Sequence, residues 1–196
     1  MTDARVLNDA PWLRSGPTAR VLAMLNGDGE EARVIGGAVR NALLRIPIGD
    51  IDIATTAVPE EVIRRARAAG IKSVPTGIEH GTVTLVVEGQ PFEVTTLRED
   101  TETYGRKAKV TFGRDWVRDA ERRDFTINGL SVDAFSVVHD HVGGLADIAA
   151  RRVRFIGNAE RGEPPHRIGL QLHRALGRDH RRKCSGIGTA AQDRLQ

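Results

Sequence analysis

Two aspartates, Asp50 and Asp52, lie one residue apart in the apolar run GDIDIATT. On a β-strand, side chains at positions i and i+2 point to the same face, about 7 Å apart. The spacing therefore predicts that both carboxylates share one face while Ile51 and Ile53 point into a core. Like charges this close repel each other unless a cation lies between them. Mg²⁺ prefers such carboxylate oxygens as ligands, so the pair predicts a metal site. The alternative is that both carboxylates lie in water at the end of a strand or in a turn.

A glycine pair, Gly36 and Gly37, separates the apolar run ARVI from the helical pattern AVRNALLR. Backbone N–H groups at the start of a helix can face an anion, and Arg40 in the first turn could reach the same anion. The sequence lacks GxxxxGK[ST], which excludes a P-loop. The pair therefore predicts either a phosphate site or an ordinary tight turn.

A third acid, Glu93, lies in PFEVTTL on the face opposite Phe92 and Val94. If this strand neighbours GDIDIATT, Glu93 can complete a carboxylate triad with the two aspartates. The alternative is a glutamate that simply faces solvent.

Cationic side chains cluster in ERRDFTINGL, where Arg122 and Arg123 precede Asp124. The forked guanidinium group matches the geometry of phosphate oxygens. The run therefore predicts either a phosphate contact or a solvated charged surface.

The elements that must position these residues alternate between helical and strand patterns. Helical spacing covers residues 18–25, 38–45, 59–70 and 115–123, and a short helix is expected in GLADIA. Strands are expected in ARVI, GDIDIATT and RRVRFIG, and a hairpin is expected around EGQP. FTINGLSVDAF and SVVHDHVGG predict another turn and short strand, and residues 98–116 predict a mobile loop. This order predicts an α+β fold with a mixed sheet and helices packed against it.

Composition predicts two regions in this chain of 196 residues. Residues 157–196 carry eight Lys or Arg against four Asp or Glu, a net charge of +4. Residues 1–156 have a net charge of −1, which gives the total of +3. We expect a domain over residues 1–157 and an atypical basic tail over 158–196.

No apolar run approaches the ~20 residues of a membrane span. The single Cys184 makes a reducing cytoplasm the default location, and no feature indicates an oligomeric state.

Five motifs in a fixed order carry a family resemblance: GGAVRNALL, GDIDIATT, HGTV, FEVTT and RRDFTING. Over residues 34–157 the chain resembles the class II tRNA nucleotidyltransferases. These are the CCA-adding enzymes and bacterial poly(A) polymerases of the DNA polymerase β-like superfamily. The resemblance implies a polymerase β-like catalytic head with a mostly antiparallel mixed sheet.

The resemblance also implies roles for particular residues. The residues implied to hold catalytic Mg²⁺ are Asp50, Asp52 and Glu93. Those implied to contact the nucleotide are Gly36, Gly37, Arg40, Arg123 and Asp124. The implied reaction transfers CMP and AMP from CTP and ATP to the 3′ end of tRNA. Poly(A) addition and partial CC or A addition stay open as alternatives, and a non-catalytic RNA-binding remnant is an alternative of another class.

Three features depart from the family pattern. Asn41 stands where the GGxVRD motif ends in Asp, and Gly129 replaces the usual Ala. Beyond Gly157 we find no EDxxR helix that would select the base. The only D-x-x-R there, Asp179 to Arg182, lies in a segment unlike that helix and is not assigned its role. An altered reading frame or truncation is our hypothesis for this tail, and genuine divergence is the alternative.

Overall fold

The structure is a computed structural model that describes residues 6–8, 10–99 and 111–157. Its strands are β1 (Ala32–Ile35), β2 (Asp52–Thr55), β3 (Lys72–Gly77), β4 (Thr82–Val87), β5 (Gln90–Thr96), β6 (Arg98–Glu99), β7 (Thr111–Phe112), β8 (Leu130–Val132) and β9 (Val138–Asp140). Its α-helices are α1 (Pro11–Arg14), α2 (Gly16–Leu25), α3 (Gly37–Leu44), α4 (Pro59–Ala68), α5 (Trp116–Glu121) and α6 (Gly144–Ala149). Single 3₁₀ turns cover Ile78–His80 and Thr126–Asn128.

Seven strands form one sheet in the order β3-β4-β5-β2-β1-β8-β9. Strand β2 lies at its centre and pairs parallel with β5, whereas every other neighbouring pair in this sheet is antiparallel. The predicted α+β fold with a mixed, mostly antiparallel sheet is confirmed.

The core lies on one face of this sheet. Val34, Ile53 and Val94 from the central strands are fully or almost fully buried there, together with apolar side chains of α2, α3 and α4. Because side chains alternate along a strand, the polar residues between them, including Asp52 and Glu93, face the opposite side. The sheet therefore separates an apolar core from a polar surface.

Two local predictions are confirmed in detail. The hairpin of β4 and β5 turns through Glu88 and Gly89, which have φ values of 52° and 80°. Positive φ at both central residues is typical of the tight turns that match strand twist. Helix α4 begins at Pro59 with two acids in its first turn, as proline geometry and the helix dipole favour.

Other elements differ from the prediction. Strand β2 begins at Asp52, so Asp50 lies in the irregular segment before it. The ends of the predicted loop 98–116 pair as the ribbon β6–β7, and residues 100–110 lie outside the described residues. The strand expected in RRVRFIG is wrong: apart from an isolated bridge between Phe125 and Phe155, these residues are irregular.

The basic tail 158–196 lies outside the described residues, so the predicted boundary at residue 157 stays a prediction. Among the helices that the described residues form, none has both the length and the apolar character needed to cross a membrane.

Candidate active site

Two carboxylates lie side by side at the centre of the sheet. Asp52 opens β2, and the parallel register places it directly opposite Glu93 on β5. Both face a cleft with a cavity volume of about 230 Å³. The residues lining it are Ile35, Asp52, Ala54, Glu93, Thr95, Arg98, Asp119, Arg122 and Arg123. The structure therefore brings together two of the three predicted acids, while Asp50 is exposed two residues before Asp52 and outside the lining.

The cleft carries uncompensated negative charge at Asp52. Partial removal from water raises the pKa of Asp52, and the nearby carboxylates of Glu93 and Asp50 raise it further. Arg123 acts in the opposite direction but does not cancel these effects. Repulsion among carboxylates is the electrostatic environment that a bound cation relieves.

The donor set fits Mg²⁺ in an open site. In the described part of the chain, no three His, Cys, Asp or Glu side chains come together closely enough to hold a metal ion by themselves. Mg²⁺ keeps several waters and takes phosphate oxygens from its substrate, so it needs only one or two protein carboxylates. Asp52 and Glu93 supply these, and the charge of Asp50 is near enough to affect Asp52.

The glycine pair forms the entry to α3. Gly36 has φ 68° and ψ −129°, a conformation that only glycine adopts readily, and Gly37 begins the helix. Arginines flank the pair: a Cβ atom added to Gly36 would lie 3.8 Å from Nη1 of Arg123, and one added to Gly37 would lie 3.6 Å from Nη2 of Arg40. Two cations therefore stand beside the helix N-terminus, where anions are favoured.

Asp119 anchors both arginines of the RRD run. Its buried carboxylate accepts hydrogen bonds from Nε and Nη2 of Arg122, at 2.9 and 2.5 Å, and from Nη2 of Arg123, at 2.8 Å. Burial alone raises the pKa of Asp119, but Arg123 and Arg122 lower it overall. The sequence prediction missed this residue, although an acid three and four positions before two arginines on a helix is a detectable signal.

A comparison with known families matches the poly A polymerase head domain to residues 32–154, more than half of the chain. The chain belongs to the poly A polymerase head-domain family. The family resemblance inferred from the motifs is therefore confirmed.

Several proteins of known name or structure are similar to this chain. The CCA-adding enzyme of Enterococcus faecalis is 41% identical over 160 residues, which are 81% of this chain and 38% of that protein. The crystal structure of the Bacillus stearothermophilus CCA-adding enzyme in complex with CTP is 39% identical, with a TM-score of 0.64, over 72% of this chain and 33% of that one.

A tRNA nucleotidyltransferase complexed with a primer tRNA and an incoming ATP analog is 27% identical, with a TM-score of 0.57. The match covers 70% of this chain and 39% of that one. The chain thus spans between a third and two fifths of the length of these three relatives.

Asn41, which departs from the motif of the poly A polymerase head-domain family, keeps its contact with Arg40. Its Oδ1 accepts hydrogen bonds from Nε and Nη2 of Arg40 at 3.1 and 2.9 Å, and its Nδ2 donates to the Pro47 carbonyl. The neutral amide therefore still orients the arginine. Nη1 of Arg40 donates to Oδ1 of Asn128 at 2.6 Å.

Asp124 lies outside the residues that line the cleft. Its Oδ1 accepts hydrogen bonds from the Phe125 backbone and from Nδ2 of Asn128, at 2.8 and 3.0 Å. Because Asn128 also accepts from Arg40, the chain Asp124–Asn128–Arg40 links the RRD run to α3. The predicted nucleotide residues thus form one connected group, in which Arg123 alone lines the cleft.

Proposed function

We propose that this chain is the catalytic head of a tRNA nucleotidyltransferase that carries out CCA addition. It would transfer CMP and AMP from CTP and ATP to the 3′ end of tRNA, with Mg²⁺ as the cofactor. The names of its relatives support this substrate class, since they include CCA-adding enzymes and complexes with CTP, an ATP analog and a primer tRNA.

One observation carries the proposal: a carboxylate pair faces arginines across a cleft on the polar side of the sheet. Asp52 and Glu93 provide the negative side, and Arg123 lines the same cleft while its guanidinium group is also near Gly36 at the entry of α3. A nucleoside triphosphate needs both features, because its phosphates require cations while its reacting centre requires a metal ion.

The proposed mechanism assigns each group a position. The helix N-terminus at Gly37, with Arg40 and Arg123, would hold the triphosphate, and Asp50, Asp52 and Glu93 would hold Mg²⁺. The ion, when bound, lowers the pKa of the RNA 3′-hydroxyl and offsets charge on the departing pyrophosphate. The 3′-oxygen would attack the α-phosphorus in line while its proton passes to water, the bond between the α-phosphorus and the bridging oxygen would break, and pyrophosphate would leave.

An incorporation assay tests the proposal. The chain is incubated with Mg²⁺, labelled CTP and ATP, and tRNA lacking its 3′ end. Incorporation of CMP followed by AMP supports CCA addition, and CMP alone supports a CC-adding activity. If neither nucleotide is incorporated, the enzymatic proposal fails and the RNA-binding remnant takes its place.

Poly(A) addition is the second candidate, because the matching family is described as a poly A polymerase head domain. Repeated incorporation of AMP without CMP favours this candidate, and a single AMP favours A addition.

For either reaction we propose the cytoplasm as the compartment, where tRNA and nucleotides are available. Fractionation of cells that produce the tagged chain tests this location.

A further inference from the structure

A second groove lies next to the cleft, beside α5. It is lined by Arg98, Arg118, Glu121 and Arg122 and has a cavity volume of about 280 Å³. Arg98 and Arg122 also line the cleft that contains Asp52, so the two cavities share a wall. We name this feature the α5 groove. Three of its four lining residues are cationic.

The two α5-groove arginines on or next to the helix differ in how firmly they are held. Arg122 is fixed by the buried carboxylate of Asp119 through two hydrogen bonds. Arg118 has a side chain that is 63% exposed, and its ion pair with Asp115 is a single contact at 3.7 Å. Exposed pairs of this kind contribute little to stability, so Arg118 can exchange Asp115 for another anion at small cost.

We propose that the α5 groove binds the phosphodiester backbone of the RNA strand whose 3′ end enters the cleft. The inference rests on the proposed function, which gives the triphosphate to the glycine entry of α3. The RNA behind its 3′ nucleotide must then leave the cleft by another side. The α5 groove adjoins the carboxylate cleft, shares Arg98 and Arg122 with its lining, and presents guanidinium groups, which suit repeated phosphates.

Equilibrium binding of a short fluorescein-labelled single-stranded RNA to the full chain, without nucleotide or Mg²⁺, tests the inference by fluorescence anisotropy. Arg118→Glu should weaken binding about tenfold at low salt, because a close phosphate contact becomes a repulsion. It should also reduce the slope of log Kd against log salt by roughly 0.7 for each lost contact. Glu121→Lys should tighten binding about tenfold, a gain that a folding defect does not produce.

Matched controls lie on α4, which packs against the opposite face of the sheet. Arg64→Glu and Glu60→Lys make the same changes in net charge at exposed positions. The inference requires both control variants to bind the RNA within about twofold of the wild type. Equal effects on α4 and α5 would show attraction by net charge alone and would overturn it, as would unchanged binding in both α5 variants.

The binding assay needs no nucleotide transfer, so it separates the two proposals. RNA binding that depends on the α5 groove, in a chain that incorporates no nucleotide, would support the groove and contradict the proposed enzymatic function. If the chain incorporates nucleotides but neither α5 substitution changes its RNA binding, the enzymatic function is supported and the α5 groove is contradicted.

Discussion

Replacing Asp119 with asparagine should both destabilise the fold and weaken nucleotide binding. The wild-type carboxylate is only 4% exposed and accepts three hydrogen bonds from two guanidinium groups. Asparagine keeps the shape and one acceptor oxygen but removes the charge and places an amide donor against an arginine. Losing one partner of a fully buried ion pair costs 3–5 kcal/mol. Because the arginine side chains are 27% and 21% exposed, water can compensate part of this, and we expect about 2 kcal/mol.

Urea denaturation of the wild-type and Asp119→Asn chains measures this difference. The folded-state pKa of Asp119 is lowered, so its contribution is fully present above the ordinary value of 3.8 and is lost as the pH falls through the lowered pKa. The gap in unfolding free energy should therefore shrink in acid. A parallel titration with CTP should show weaker binding by the variant, because Arg123 loses its anchor. Unchanged stability together with unchanged CTP binding would show that Asp119 does not anchor the two arginines.

Three further predictions concern stability. Asp52→Asn should raise the unfolding free energy without Mg²⁺ by about 0.5 kcal/mol at pH 7, as it removes repulsion that solvent partly screens; a lower denaturation midpoint would contradict this. Gly36→Ala should cost about 1–3 kcal/mol through backbone strain alone, with Gly49→Ala, which has no positive φ, as the control in thermal melts. Asp147→Ala should cost about 2 kcal/mol, because its fully buried carboxylate accepts bonds from two arginines that are themselves 60% and 47% exposed; urea midpoints within error of the wild type would exclude this.

The hairpin of β4 and β5 and helices α3 and α4 could be predicted because their signals are local. Alternating apolar residues flank Glu88 and Gly89, and Pro59 with its acids marks a helix start. Strand β3 had no such signal, since it is an edge strand with mostly exposed residues and a proline at its irregularity. The ribbon β6–β7 has only two residues on each strand, too few for a pattern.

The candidate site also contains residues that the sequence could predict and features that it could not. The acids Asp52 and Glu93 could be selected from strand alternation, and the family resemblance raised both above ordinary surface acids. Their pairing depends on the parallel contact between β2 and β5, which no local pattern encodes. Asp119 lies in a charged helix whose sequence looks solvent-exposed, and only the tertiary structure buries it.

We propose above that Asp50, Asp52 and Glu93 hold the catalytic metal ion, and the decisive test of this assignment is Asp52→Asn. The measurement is the rate of CMP incorporation into tRNA lacking its 3′ end, at saturating Mg²⁺, for the wild-type and variant chains. The variant is expected to be at least as stable as the wild type, so a lost rate cannot be a folding defect. We expect the wild type to incorporate CMP and the variant to lose roughly 10³-fold in rate. Equal rates, or no incorporation by the wild type, would contradict this assignment.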